Sequence, residues 1–296
     1  MLYFAEKKDM DLKSNKFSFF ALAILMSAAA LLGSCGSRNA SSTEASDSVN
    51  DTIAAEDSVE VVEVVFDTVI YSDSVIFGNK GSVHVDWNVV FPATSEVVYA
   101  DSIRDWVLRF VGDTSSVAKD AQLADIIVKK GKDELESCKE EVEGLIQEDE
   151  EYEVESWNTW DYESTLDITV LYENEEYITM EVSTYLYAGG AHAFSTYYGV
   201  TFRKSDGHIM GWDLLSDMST KEITSKISDG LVEYFEVKSV DDLYGECLFD
   251  YIEEGDLPMP GTAPYLVEEG VAFIYQSYEI APYVAGMPEG VIKIEE

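Results

Sequence analysis

The chain has 296 residues, 46% of them apolar, and sets 58 acidic side chains against 19 basic ones, for a formal net charge of −39. A field of that sign repels nucleic acid and anionic lipid headgroups, and it attracts cations and basic proteins at rates that fall with salt. Nucleic acid is therefore not an expected partner, although the same acidity can also serve solubility alone.

From the amino terminus, four lysines (Lys7, Lys8, Lys13 and Lys16) precede a 16-residue apolar run from Phe17 to Leu32, which closes in Leu32-Gly33-Ser34-Cys35. A charged start, an apolar stretch short for a membrane span and small residues at the cut are the layout of a secretory signal over residues 1–34. Cysteine directly after the small residues resembles a bacterial lipoprotein signal, in which Cys35 becomes the lipidated first residue of the mature chain. The alternative is an uncleaved anchor helix, and Met10 is an alternative start. Several acyl chains on Cys35 would hold the protein on a membrane where a single chain would not. The expected location is the bacterial envelope, outside the cytoplasm, with the periplasmic side favoured because no acidic cluster directly follows Cys35. Loss of the signal removes four lysines and three acids and leaves 15 basic against 55 acidic residues.

Residues 35–66 begin rich in Ser, Thr, Ala and acids, with few large apolar side chains. Such a stretch buries too little surface to offset its ordering entropy and is expected to be a flexible acidic tether. The remainder is expected to be an α+β fold, as one large domain or two intimate subdomains over residues 67–160 and 161–296.

Within it, Val83, Val85, Trp87, Val89 and Phe91 alternate with polar neighbours, which predicts a half-buried strand with His84 on its exposed face. Ile103, Trp106, Val107 and Phe110 recur at helical spacing, as do Leu135, Cys138, Val142 and Leu145. The first third thus reads as one strand followed by two helices. "EDEEYEVESWNTWDYES", residues 148–164, is expected to be an acidic loop leading into a strand whose aromatics pack on the sheet; a sugar-binding face lined by Trp157, Trp160 and Tyr162 is the alternative.

Next, "YESTLDITVLY", "YITMEVSTYLY" and "AFSTYYGVTF" form three strand-like runs with tight turns, the last ending at the hairpin signal Asp206-Gly207. They predict an antiparallel meander packed by helices. Ser219 with Glu222 and Ser239 with Asp242 are capping boxes. The first opens a stripe of Ile223, Ile227, Leu231 and Tyr234, and the second one of Leu243, Cys247 and Tyr251. Two short strand-like runs, "YLVEEGVAFIY" and "GVIKI", close the chain. Cys138 and Cys247 each sit on an apolar helical stripe and read as small buried hydrophobes, with a mutual bridge as the alternative.

Catalytic signatures are sparse. The sequence holds no HxxxH, HExxH, CxxC, GxSxG or phosphate-loop pattern, so no metal and no cofactor are expected. In "YLYAGGAHAF", Gly189 and Gly190 stand between two alternating strands, where a turn needs positive φ. His192 then belongs to the turn; the competing reading makes it a general acid or base acting on wall glycan with Asp161 or Glu163.

Three segments in order, "YAGGAH" at 187–192, "GHIMGWDLL" at 207–215 and "YEIAPYVAG" at 278–286, resemble the extracellular domain family shared by the lysozyme-sensing anti-sigma factor RsiV and the N-terminal region of the peptidoglycan deacetylase PdaC. The resemblance covers roughly residues 82–294 and is strongest from 160 onward. It implies an α+β envelope domain that, in the anti-sigma member, binds lysozyme. The sequence shows no sigma-binding segment and no deacetylase domain with metal-binding histidines, so neither signalling nor deacetylation is expected to carry over. The expectation is a non-enzymatic lipid-anchored binding protein for a basic protein such as lysozyme, or for peptidoglycan. Tyr187, Gly189, Gly190, His192, Tyr197, Tyr278 and Tyr283 are its candidate surface. In a third reading, of a structural lipoprotein, Gly189, Gly190, Asp213 and the 278–286 loop only hold the fold together.

Overall fold

The computed structural model describes residues 64–94, 96–112, 123–151, 159–253 and 255–294. The signal over 1–34, Cys35, the tether up to residue 63 and Trp157 lie outside the described residues.

Six strands form the main sheet in the order β1 (Phe66–Ile76), β2 (Gly81–Pro92), β3 (Trp160–Glu173), β4 (Tyr177–Tyr187), β5 (Phe194–Arg203) and β6 (Ile209–Met210). β3, β4 and β5 are the expected antiparallel meander. Between β5 and β6 the Asp206-Gly207 turn closes with Gly207 N–H donating to Arg203 O at 2.8 Å.

Two features add to the expected layout, and the first corrects it. β1 precedes the first predicted strand and pairs antiparallel with β2, so Phe66, assigned to the tether, already belongs to the sheet. β2 and β3, whose pairing the sequence leaves open, are parallel, because α1 (Val98–Phe110) and α2 (Leu123–Glu151) intervene and return the chain to the same end of the sheet. Both helices are the predicted ones. Ile103 and Val107 of α1 and Ile127, Cys138 and Val142 of α2 are buried against the alternating valines of β2. Trp160 and Tyr162 join this core, with the Trp160 indole N–H donating to Asp149 at 2.8 Å.

A second core lies beyond Phe202. α3 (Thr220–Tyr234) starts at Ser219, whose hydroxyl accepts from Glu222 N–H while Glu222 accepts from Ser219 N–H, the predicted capping box. Its buried face, Ile223, Ile227 and Leu231, packs on a three-stranded antiparallel sheet of β7 (Tyr265–Val267), β8 (Gly270–Ile274) and β9 (Glu289–Ile292). The helix expected after Ser239 is one turn, Val240–Asp242, that widens into a π-turn over Leu243–Cys247. Only Leu243 of the predicted stripe is buried, and Tyr251 is 73% exposed, stacked on Phe249. Leu248 N–H bonds back to Leu243 O, five residues earlier, which shifts the helical register and ends the stripe.

Cys138 and Cys247 are free, and they pack against different cores. Burial, with Glu134 adding to it, pushes the Cys138 thiol up to about 12, so it carries no thiolate at neutral pH.

The two sheets meet through a small polar clasp. Leu266 N–H donates to Thr201 Oγ1 and Thr179 Oγ1 donates to Leu266 O, both at 2.9 Å, and the two hydroxyls are 2.8 Å apart. Because the Thr179 proton is used on Leu266 O, the Thr201 hydroxyl must donate to Thr179, and every hydroxyl in the ring is satisfied. Both threonines are fully buried. Beside them Gly199 leaves room for the Tyr265 ring; a Cβ there would stand 2.3 Å from it.

Thr201→Val keeps the shape and strips the hydroxyl, leaving the buried Leu266 N–H without an acceptor. The expected cost is about 1–3 kcal/mol in urea unfolding; an unchanged midpoint would contradict this account of the clasp.

Candidate functional site

Anchoring of β7 and β8 fixes where the following loop goes. Gln276 reaches back to β5: its side-chain N–H donates to Tyr197 O at 2.9 Å and its carbonyl accepts from Tyr197 N–H at 3.3 Å. The Glu279 carboxylate accepts from Gln276 N–H at 2.8 Å and from Gly261 N–H. Ile280 and Ala281 are buried below, and the Tyr234 hydroxyl donates to Ala285 O at 2.7 Å. Held at these points, the loop turns Tyr278 and Val284 outward, 50% and 92% exposed. Tyr278 adopts φ +68°, a conformation costly for a bulky L-residue.

That loop meets the β4–β5 turn. Gly189 and Gly190 take φ +82° and +99° in open space, so the glycines answer a backbone need and not a steric one. The His192 ring stacks on Tyr283 with centroids 3.9 Å apart and planes inclined by 17°. Its Nδ1 is 3.1 Å from Ala193 O and its Nε2 is 3.0 Å from the Tyr278 hydroxyl. Since a carbonyl only accepts, Nδ1 carries the proton in the neutral ring and Nε2 accepts from Tyr278. Tyr283 also donates to Ala193 O, at 2.9 Å, so one carbonyl ties the stacked pair together.

The other candidates sit around this cluster. Tyr187 donates to Gly190 O at 3.3 Å on the rim of the turn. The Tyr197 ring points elsewhere: its hydroxyl donates to Glu181 at 2.8 Å, and desolvation followed by that carboxylate holds its phenol well above the usual range. Asp161 accepts from Ser82 at 2.8 Å and from Thr159, and Glu163 lies across from Tyr187 in the β3–β4 ladder. Asp213 serves its own segment, accepting from Gly211 N–H at 2.6 Å and lying 3.3 Å from His208 Nε2.

Sequence reasoning missed Gln276, Glu181 and the exposure of Val284. Only Glu181 left a signal, since alternation along β4 puts it opposite Met180 and Val182.

The sheet face beside the cluster is acidic. Asp86, Asp161, Glu163, Asp167 and Glu181 project from β2, β3 and β4 on the side away from the first core, next to strand residues that are buried in it. Ser72, Ser82, Asn88 and Thr169 each donate to one of these carboxylates from the neighbouring strand. β1 to β4 contain no lysine or arginine. Among the described residues no group of three or more His, Cys, Asp or Glu is placed to hold a metal ion.

Comparison with known proteins agrees with this architecture. Residues 113–195 match the family described as Deacetylase PdaC, and residues 253–295 match a protein family of unknown function, DUF3298. His192 falls in the first match, and Tyr278 and Tyr283 in the second. A crystal structure of a DUF3298 family member from Bacteroides fragilis superposes with a TM-score of 0.63 at 20% identity, covering 78% of this chain and 90% of that one. A DUF3298 family protein from Pseudomonas aeruginosa gives a TM-score of 0.45 at 15% identity over 78% of this chain and 91% of the other. No curated protein matches. PdaC-family domains are extracytoplasmic, and among the described residues no helix is long and apolar enough to cross a membrane. The chain thus carries a match to the PdaC family followed by a match to DUF3298, in keeping with the resemblance read from the sequence.

Proposed function

We propose that the protein is a non-enzymatic, lipid-anchored binding protein of the bacterial envelope, and that the surface around His192, Tyr278 and Tyr283 recognises a basic protein of the lysozyme-like hydrolase class. The observation that carries this reading is the exposed ring cluster assembled from two segments some 86 residues apart, beside a sheet face whose four leading strands contain no lysine or arginine. Exposed aromatics supply contact area at low entropy cost, and a carboxylate field speeds encounter with a cationic partner.

Chemistry at His192 has less support. Both ring nitrogens are engaged, one by a backbone carbonyl and one by a phenol. A general base needs a free nitrogen and an orienting group, whereas Asp161 and Glu163 have partners or positions of their own. Wall glycan is the second ligand class, favoured by ring faces open to solvent.

The test is titration of the full chain, in non-ionic detergent, with lysozyme and with an equally basic control protein from low to high salt. Saturable binding of lysozyme alone at physiological salt is expected. Binding of both that vanishes with salt would reduce the reading to charge and turn the search to glycan. Tyr283→Ala should weaken lysozyme binding by about tenfold or more, the scale of an aromatic anchor, while leaving the unfolding midpoint nearly unchanged.

The leader ending in Cys35 motivates the anchor. Cys35→Ala should abolish incorporation of labelled palmitate and release the protein from the membrane fraction; retained label would contradict it.

A further inference from the structure

β1 forms one edge of the main sheet, and β6, only two residues long, forms the other. The pairing of β1 with β2 keeps one register from Phe66↔Pro92 to Ile76↔Ser82 without a bulge. At its two ends, Ala93 N–H donates to Val65 O at 2.8 Å and Phe77 N–H donates to Gly81 O at 2.9 Å. Hydrogen-bonded and non-bonded pairs alternate along an antiparallel ladder, so the odd-numbered residues of β1 bond inward. The N–H and C=O groups of Thr68, Ile70, Ser72, Ser74 and Ile76 therefore point away from the sheet.

Among the described residues, β1 packs along β2 and under α2, which covers the face that buries Val69 and Tyr71. Along β1 there is no proline, no lysine and no bulge to discourage strand addition; its charged side chains are Asp67 and Asp73, and Asp73 accepts from Ser74 N–H at 2.8 Å. Its two faces differ. Ile70 and Ile76 are 72% and 69% exposed on the open face, and Asp67 and Asp73 are exposed on the other.

The geometry points to β1 as a docking edge for an extended cationic segment of a partner protein, added as a seventh strand. Main-chain hydrogen bonds to the outward residues supply affinity, with the Ser74 N–H exchanging Asp73 Oδ1 for a carbonyl of the guest, and the alternation of the guest supplies selectivity. Apolar side chains on one face of the guest meet Ile70 and Ile76, while lysine or arginine on the other meets Asp67 and Asp73. A second copy of this chain fits poorly, since it brings the same two aspartates and a further net charge of −39 to the edge. The edge is a different surface from the ring cluster, and the test is independent of it.

The probe is the capped peptide (Val-Lys)4, titrated at physiological salt into the full chain in non-ionic detergent. Saturable binding is expected, with slowed amide exchange over residues 68–76. Ser72→Pro removes one outward N–H and no inward bond, a substitution edge strands tolerate, and should weaken binding at least tenfold; Ser72→Ala should bind like the parent. The same peptide N-methylated throughout keeps its charges, loses every strand-pairing N–H, and should not bind. Equal affinity for the methylated peptide, or for a Ser72→Pro variant with an unchanged unfolding midpoint, would overturn the proposal in favour of charge alone. A dimer in sedimentation that Ser72→Pro disperses would overturn it in favour of a second copy. If Ser72→Pro lowers the midpoint, the two peptides decide.

Discussion

Three hydrogen bonds around Leu266 govern how the molecule is put together. Thr179 and Thr201 stand on adjacent strands of the main sheet, on the face away from its core, and together they receive one N–H and one C=O of β7. A buried hydroxyl without a partner is costly, so the ring is satisfied only when the small sheet is seated there. Gly199 admits Tyr265 at the same point, which makes the seat steric as well as polar. Once β7 is placed, Gln276 lies within reach of Tyr197, and the 278–286 loop is delivered over the β4–β5 turn. The His192 cluster is thus a downstream consequence of a clasp that contains none of its residues.

Charge is distributed to match. Carboxylates on the open face are held across strands by hydroxyl and amide donors, not by lysine or arginine. Thr159 and then Ser82 hold Asp161 below the ordinary carboxylate range. The rings stand at the end of this face, where Glu163 pairs in register with Tyr187. The ring cluster and the carboxylates therefore stand at the same end of the sheet, the arrangement on which the proposed recognition of a basic protein rests.

Much of this fold was legible in the sequence. Strict alternation exposed β2, where every inward residue is apolar and His84 falls outside, and the stripes of α1 and α2 were equally clear. The meander and the Ser219 cap followed from short-range chemistry. β1 escaped notice because its apolar residues lie on both faces: Val69 and Tyr71 are buried while Ile70 and Ile76 are exposed, so no clean period of two survives. The parallel β2–β3 pair depends on where two helices return the chain, which no local pattern reports. The stripe over Leu243, Cys247 and Tyr251 looked helical until a single long-reach backbone bond broke it. Of the site, the turn and the loop could be picked out separately as segments, but the stacking of His192 on Tyr283 is a tertiary fact set by the clasp.

The most direct measurement of the central claim is amide hydrogen exchange of the full chain with and without lysozyme, read segment by segment. The account predicts that binding slows exchange in 187–193 and 278–286 together, because the two segments form one surface. Saturable binding that leaves both segments unchanged would contradict it.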